Sequence, residues 1–218
     1  MLTKLRRWAL VTILVCGGLM ALAGQWESKI LWTLTIGVSG LVLYAMLSIE
    51  PELANERFHP PSRGQDPTAL LWIRISALTA MIVAPLDGGR FHWTTPAPDS
   101  VRIAAVAGAL VAMFVCFRAM VENRYFSVVI RIQNDRGHRV VDSGPYSLIR
   151  HPGYAGMIAA VPLMSLAFGS WLGFGVASIY SLLIARRVWF EDGFLRENLP
   201  GYPAYASRVR FRLIPGLW

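Results

Sequence analysis

Long apolar runs separated by short polar segments dominate the first half of this chain. Four of the runs approach the roughly 20 residues that a helix needs to cross about 30 Å of hydrocarbon. Basic residues precede the first run, as in a signal peptide, but apolar sequence resumes at once, so we expect a retained helix. The pattern predicts membrane helices over Trp8–Ala23, Ile30–Ile49, Ala69–Leu86 and Val101–Met120.

The second half has a different pattern, because a polar block over Val121–Gly153 precedes two shorter apolar runs, Tyr154–Phe168 and Phe174–Trp189. About 15 helical residues reach only about 22 Å, which is short for a membrane crossing. We therefore predict a short helical hairpin that enters and leaves by one membrane face. The Pro-rich segment Pro51–Pro67 is expected to lie along the surface.

These elements predict an all-α, polytopic membrane bundle of about six transmembrane helices. We divide it into two parts. Residues 1–120 hold four N-terminal transmembrane helices, and residues 121–218 hold a connector, the hairpin and a C-terminal segment.

Composition and charge support a membrane protein and orient it. The 218 residues are 55% hydrophobic and 16% charged, against about 25% charged in soluble domains. Segments 1–7, 50–68, 118–153 and 186–218 carry 17 of the 21 Lys and Arg residues. The positive-inside rule then predicts a multi-pass protein with both termini and the polar segments 118–153 and 186–218 at the cytoplasmic face. The net charge of +8 thus indicates membrane topology rather than nucleic-acid binding.

Cysteine and histidine give no sign of a metal site. Cys16 and Cys116 lie inside apolar runs, so we expect neither a disulfide nor metal binding. His59, His92 and His138 stand singly in loops, without the spacing of metal ligands.

Two polar motifs flank the hairpin, Ser143–Gly156 and Arg186–Asp192. Either one alone is compatible with a solvated loop or helix end. Together they offer the charges that bind an amino-acid group, since a carboxylate can hold its ammonium and an arginine can bind its carboxylate in bidentate fashion.

The C-terminal half resembles the isoprenylcysteine carboxyl methyltransferase and phospholipid methyltransferase superfamily of integral membrane enzymes. The resemblance covers about residues 118–218. Asp192 departs from the pattern, where a second Glu is common. The matching residues are Gly144-Pro-Tyr, Arg150-His-Pro-Gly-Tyr-Ala-Gly156, Glu191-Asp192, Leu199-Pro-Gly-Tyr-Pro-Ala-Tyr205, Arg208-Val-Arg and Ile214-Pro215.

The resemblance implies S-adenosylmethionine as cofactor, bound from the cytoplasmic side, and a lipid-like or hydrophobic acceptor that arrives from the bilayer. Glu191 would take the cofactor's ammonium group, while Arg187 or Arg208 would pair with a carboxylate of cofactor or substrate; these three are the candidate catalytic residues. The candidate cofactor-binding residues are Tyr146, Arg150, His151, Pro152, Tyr154, Gly156, Glu191, Asp192, Tyr202 and Tyr205.

The acceptor stays open at this point. Carboxyl O-methylation of an isoprenylcysteine-like substrate is the nearest named resemblance, and the alternatives are methylation of a phospholipid or lipid amine and of a small hydrophobic thiol. A transporter or a non-catalytic membrane scaffold is the alternative outside enzymes. We expect the acceptor to arrive between the fourth span and the hairpin, through a slot lined by small residues such as Gly156.

Overall fold

The computed structural model describes residues 2–62 and 64–218, and within them only helices and irregular segments occur. This confirms the all-α prediction. The helices in chain order are α1 (Leu2–Ala23), α2 (Lys29–Ser48), α3 (Pro51–Phe58), α4 (Pro67–Phe91), α5 (Asp99–Glu122), α6 (Pro152–Ala167), α7 (Trp171–Asn198) and α8 (Tyr202–Arg208).

Five of these helices, α1, α2, α4, α5 and α7, are long and apolar enough to cross a membrane. Their starts follow local capping chemistry. The Ser28 hydroxyl accepts from Leu31 N at 3.4 Å, and an Asp66 carboxylate oxygen accepts from Ala69 N at 3.4 Å, with Pro67 in the first turn. The predicted spans in residues 1–120 thus match observed helices, with ends shifted by a few residues.

The hairpin consists of α6 and α7, and its two arms differ in length. The 16 residues of α6 reach about 24 Å, so this arm is short as expected. The 28 residues of α7 reach about 42 Å, well beyond the predicted run Phe174–Trp189. The helix continues past Trp189 because no proline follows until Pro200, and the single glycine in between, Gly193, does not end it. Glu191 and Asp192 therefore lie within a helix and not at its end.

We call the end of the bundle that carries residues 50–62, 64–67 and 121–153 the connector end, and the opposite end the far end. At the far end, Arg90 caps α1 through hydrogen bonds to Ala21 O at 2.6 Å and Leu22 O at 3.0 Å. A Cβ atom on Gly88 would lie 2.3 Å from Phe168 O, so α4 meets the hairpin backbone closely there. The buried Asp87 carboxylate accepts from the Ser170 hydroxyl at 2.5 Å.

The segment after α2 differs from the predicted surface loop, because Pro51–Phe58 forms helix α3 and buries Leu53 and Glu56. The Glu56 carboxylate accepts from Arg131 Nε at 3.0 Å and Nη2 at 2.8 Å, and also from the Ser127 hydroxyl. This buried bidentate pair fixes α3 beneath the connector. Apolar content alone could not reveal it, since α3 is a mostly polar helix.

Candidate functional site

The Arg150-His151 segment is held by the C-terminal tail of the chain. Arg150 N donates to Phe211 O at 2.9 Å, and His151 N donates to Arg212 O at 2.9 Å. The Arg150 side chain adds hydrogen bonds from Nη1 to Val209 O and Arg210 O, both at 2.7 Å. The motif at the start of α6 and the chain's last residues therefore form one structural unit.

Asp192 lies at the centre of this unit and is fully buried. Arg150 binds it in bidentate fashion, Nε to Oδ1 at 2.7 Å and Nη2 to Oδ2 at 3.1 Å. Arg196 Nε and Arg212 Nε donate to Oδ2 at 3.0 and 3.1 Å. The Tyr202 hydroxyl donates to Oδ1 at 3.0 Å, and His151 Nε2 lies 3.3 Å from the same oxygen.

These contacts correct the expectation that Asp192 binds cofactor. A carboxylate offers about four lone-pair sites, and the protein's own donors occupy them. Asp192 does not line the neighbouring cavity. Its place is structural: it joins α7, the start of α6, α8 and the C-terminal tail.

Glu191 belongs to a separate chain of hydrogen bonds. The Tyr154 hydroxyl donates to Glu191 Oε2 at 2.6 Å and accepts from Arg187 Nε at 2.9 Å. Arg187 is buried, and its Nη2 donates to Val128 O at 2.8 Å. A helix brings residues four apart to one face, so Arg187 and Glu191 share a face of α7, and Tyr154 of α6 connects them.

A cavity of about 320 Å³ opens over this face at the connector end. One wall is apolar and includes Ile73, Ala77, Met157, Tyr180 and Ile184. The other side is polar, and Glu191 is the one carboxylate among the described lining residues. Of the predicted site residues, the cavity brings together Tyr146, Arg150, His151, Tyr154, Arg187, Glu191, Tyr202 and Tyr205.

The tyrosines near the cavity are held by hydrogen bonds. The Tyr205 hydroxyl donates to Tyr146 O at 2.7 Å, which joins α8 to the turn before α6. Burial raises the pKa of Tyr202 far above its usual range, and the Asp192 carboxylate raises it further, so the hydroxyl remains a donor. Burial opposes the charge on Arg150, but Asp192 outweighs this effect and raises the pKa of Arg150.

Besides Asp192, three predicted site residues lie away from the cavity. A Cβ atom on Gly156 would come within 2.5 Å of Ala112 O and 2.8 Å of Cys116 Cβ, so Gly156 is the contact point of α6 with α5. Pro152 is buried at the first turn of α6 and does not line the cavity. Arg208 is exposed and pairs with Asp142.

The Gly156 contact also corrects the expected acceptor route. The fourth span, α5, is closed against α6 at Gly156, so no slot remains at that point. Among the described lining residues, those within the long helices come from α4, α6 and α7, and the others come mainly from α3, the connector and α8. Asn123 lines the cavity just after the end of α5.

Sequence reasoning missed several cavity residues, among them Arg57 of α3 and Arg74 of α4. Arg57 lay in a segment that we expected to be a surface loop. Arg74 carried a usable signal, because charge inside an otherwise apolar span is costly and usually functional.

Comparison with known proteins finds a family model that matches part of the chain. Residues 102–197 match the model of the isoprenylcysteine carboxyl methyltransferase (ICMT) family. This part of the chain is similar to that family. The ICMT segment spans α5, the connector, α6 and nearly all of α7, and thus contains Tyr154, Arg187 and Glu191.

Individual relatives agree with the family match. The chain is similar to a probable protein-S-isoprenylcysteine O-methyltransferase of Oryza sativa subsp. indica, with 33% identity over 96 residues, which covers 39% of this chain and 46% of the relative. It is also similar to protein-S-isoprenylcysteine O-methyltransferase B of Arabidopsis thaliana, with 28% identity over 88 residues, covering 39% and 45%. The chain therefore spans less than half the length of these curated relatives.

Proposed function

We propose that this protein is an integral membrane methyltransferase that moves a methyl group from S-adenosylmethionine to an apolar or lipid-linked acceptor. We propose further that the reaction is carboxyl O-methylation of an isoprenylcysteine-like substrate. The observation that carries the proposal is the chain of contacts Arg187–Tyr154–Glu191 on the wall of a partly apolar cavity, inside the ICMT segment.

The lining residues fit the cofactor's amino-acid group. That group carries an ammonium and a carboxylate, and the cavity wall places Glu191 and Arg187 within one hydrogen-bonded chain. In the proposed complex, Glu191 holds the ammonium and Arg187 the carboxylate, with Tyr154 fixing the distance between them. The bound cofactor would supply a methyl group already activated by a sulfonium.

The protein's part in such a transfer is alignment and exclusion of water. A carboxylate acceptor is ionised at neutral pH and needs no general base. Correct alignment of two reactants can lower a barrier by about 7–11 kcal/mol in favourable cases. The apolar wall formed by α4, α6 and α7 would position a hydrophobic acceptor beside the cofactor and keep water out.

We also propose that the connector end faces the cytoplasm, with both termini on that side. The distribution of Lys and Arg supports this orientation. It gives a polar cofactor direct access to the connector end, and it lets an apolar acceptor reach the same cavity from the bilayer.

The test is transfer of labelled methyl groups from S-adenosylmethionine by the detergent-purified full chain. The acceptors are a membrane lipid extract and an S-prenylated N-acetylcysteine. We expect a labelled, base-labile methyl ester on the prenylated acceptor. Label in an amine headgroup would point to lipid N-methylation instead. No transfer to either acceptor, together with no cofactor binding at millimolar concentration, would reject the enzyme.

A further inference from the structure

Two arginines that lie outside the ICMT segment reach the cavity wall. Arg57 comes from α3 and Arg74 from α4, whereas the family match covers residues 102–197. The contacts assigned above to the cofactor use neither of them. Their position at the cavity therefore needs a separate explanation.

Arg74 belongs to a stripe of α4 that faces the cavity. Leu70, Ile73, Arg74 and Ala77 all line it, and the spacing i, i+3, i+4, i+7 puts them on one helix face. Within residues 2–62 and 64–218, Arg74 makes no hydrogen bond or ion pair. A cation in the third turn of an apolar helix is costly without a role, and its neighbours on this face are apolar.

Arg57 is fixed in place without a carboxylate partner in the part of the chain that the structure describes. Its Nη1 donates to Phe126 O at 3.2 Å, and its guanidinium lies 5.2 Å from the centre of the Phe126 ring. Burial lowers the pKa of Arg57, as expected for a cation whose charge is not balanced nearby. The side chain is thus held in a defined position with its charge uncompensated.

The charges around the cavity do not balance. Arg131 and Arg150, which also line it, are neutralised by Glu56 and Asp192. Glu191 is the one carboxylate among the described lining residues and is assigned above to the cofactor's ammonium. Arg57, Arg74 and Arg139 line the cavity and form no ion pair in the described part of the chain, so they leave a surplus of positive charge that favours an anionic ligand.

We propose that Arg74 and Arg57 are specificity-determining residues that bind the anionic group of an amphiphilic acceptor. Its apolar chain would lie along Leu70, Ala77 and Met157, which line the same cavity on α4 and α6. This inference rests on the proposed function for its account of what happens to the acceptor. It adds an anion site built by helices that the family match does not include.

The experiment compares two ligands that differ only in charge, an S-prenylated N-acetylcysteine and its primary carboxamide. Binding of each to the full chain is measured in detergent with saturating S-adenosylhomocysteine. We expect the wild-type protein to bind the carboxylate about tenfold more tightly than the carboxamide, as a charge-assisted contact predicts. Arg74→Gln and Arg57→Gln should each reduce this preference to about twofold or less, without weakening carboxamide binding.

Two further variants control the result. Arg186 of α7 pairs with Asp66 at 2.7 Å and does not line the cavity. Arg186→Gln therefore removes a cation outside the cavity and should keep the full preference for the carboxylate. Arg74→Lys should keep part of it. In methyl transfer, Arg74→Gln should raise KM for the carboxylate about tenfold and leave kcat within about twofold.

The proposal is overturned if the wild type shows no preference for the charged ligand, if Arg74→Gln and Arg57→Gln retain it, or if Arg186→Gln loses it equally. Failure of the proposed function looks different: the wild type would neither bind the cofactor nor transfer methyl groups, while its preference for the carboxylate ligand, measured without cofactor, would persist.

Discussion

Arg150 and Asp192, which are 42 positions apart, form a bidentate ion pair with both side chains almost completely buried. The pair connects the start of α6 to the last part of α7. Breaking a buried pair leaves an uncompensated charge, which costs about 3–5 kcal/mol. The neighbouring donors Arg196, Arg212 and Tyr202 would lose their acceptor at the same time.

We therefore expect Asp192→Asn to lower thermal stability strongly and to expose the C-terminal tail to protease. The measurement is a thermal melt in detergent together with limited proteolysis. Asp142→Asn is the matched control, because it removes an exposed carboxylate paired with the exposed Arg208. A melt for Asp192→Asn equal to that of Asp142→Asn would contradict the structural role.

A second prediction separates Glu191 from its neighbour Asp192. Glu191→Gln keeps the size of the side chain and its acceptor for Tyr154, so the protein should remain folded. It removes the charge proposed to hold the cofactor's ammonium. We expect cofactor affinity to fall by about 2–5 kcal/mol, measured by calorimetry with S-adenosylhomocysteine.

Glu197→Gln is the control for Glu191→Gln, since Glu197 is exposed on the same helix and does not line the cavity. Tyr154→Phe should weaken binding less, because it removes only the link between Arg187 and Glu191. Equal affinity in wild type and Glu191→Gln would remove Glu191 from the cofactor site.

The sequence predicted much of this arrangement, and the exceptions have physical causes. Apolar runs located the long helices because membrane spans need about 20 apolar residues. The same criterion placed the end of α7 too early, at Trp189, because hydropathy indicates contact with lipid and not how far a helix continues. Glu191 and Asp192 were both predicted to bind cofactor, yet successive helix positions differ by about 100°, so Glu191 faces the cavity and Asp192 faces the arginines.

A substitution at Gly156 tests whether α5 and α6 are closed against each other at this point. Gly156→Ala places a Cβ atom 2.5 Å from a backbone oxygen that cannot move independently of α5. Overpacking of this kind costs about 1–3 kcal/mol, so the melting temperature should fall. Gly175→Ala on α7 is the control, because nothing lies within 4 Å of the added atom. A stable Gly156→Ala variant with a changed acceptor preference would restore the slot hypothesis.

We expect His138 to make the stability of the connector depend on pH. Burial lowers the pKa of His138 to about 4, and Arg131 and Arg136 contribute. Between about pH 6.5 and pH 4 the unfolded connector binds more protons than the folded one, so stability is lost as pH falls through this window. After allowance for partial exposure, the loss is about 1–2 kcal/mol.

We expect amide exchange in residues 125–140 to accelerate at pH 5 relative to pH 7.5, after correction for intrinsic rates. His138→Phe keeps an aromatic ring beside Tyr125, whose ring centre lies 4.5 Å away, and cannot be protonated. This variant should show no such acceleration. The same pH response in His138→Phe would assign the effect to another group.

The orientation of the bundle is the last prediction, and it decides which compartment supplies the cofactor. Arg90 and Arg102 are the only arginines placed at the far end by the structure's described residues, and both cap helix carbonyls there, at Leu22 and Ala167. Their positions are thus explained by packing, and from the remaining asymmetry in basic residues we expect the connector end to face the cytoplasm. Single cysteines at the exposed positions Ser62, Asn134 and Ser207, in a chain with Cys16 and Cys116 replaced by Ala, should react with a membrane-impermeant thiol reagent only after the cells are opened. Cysteines at Glu27 and Thr95, which are exposed at the far end, should react in intact cells. Labelling of Asn134→Cys in intact cells would reverse the orientation, and the cofactor would then have to arrive from outside.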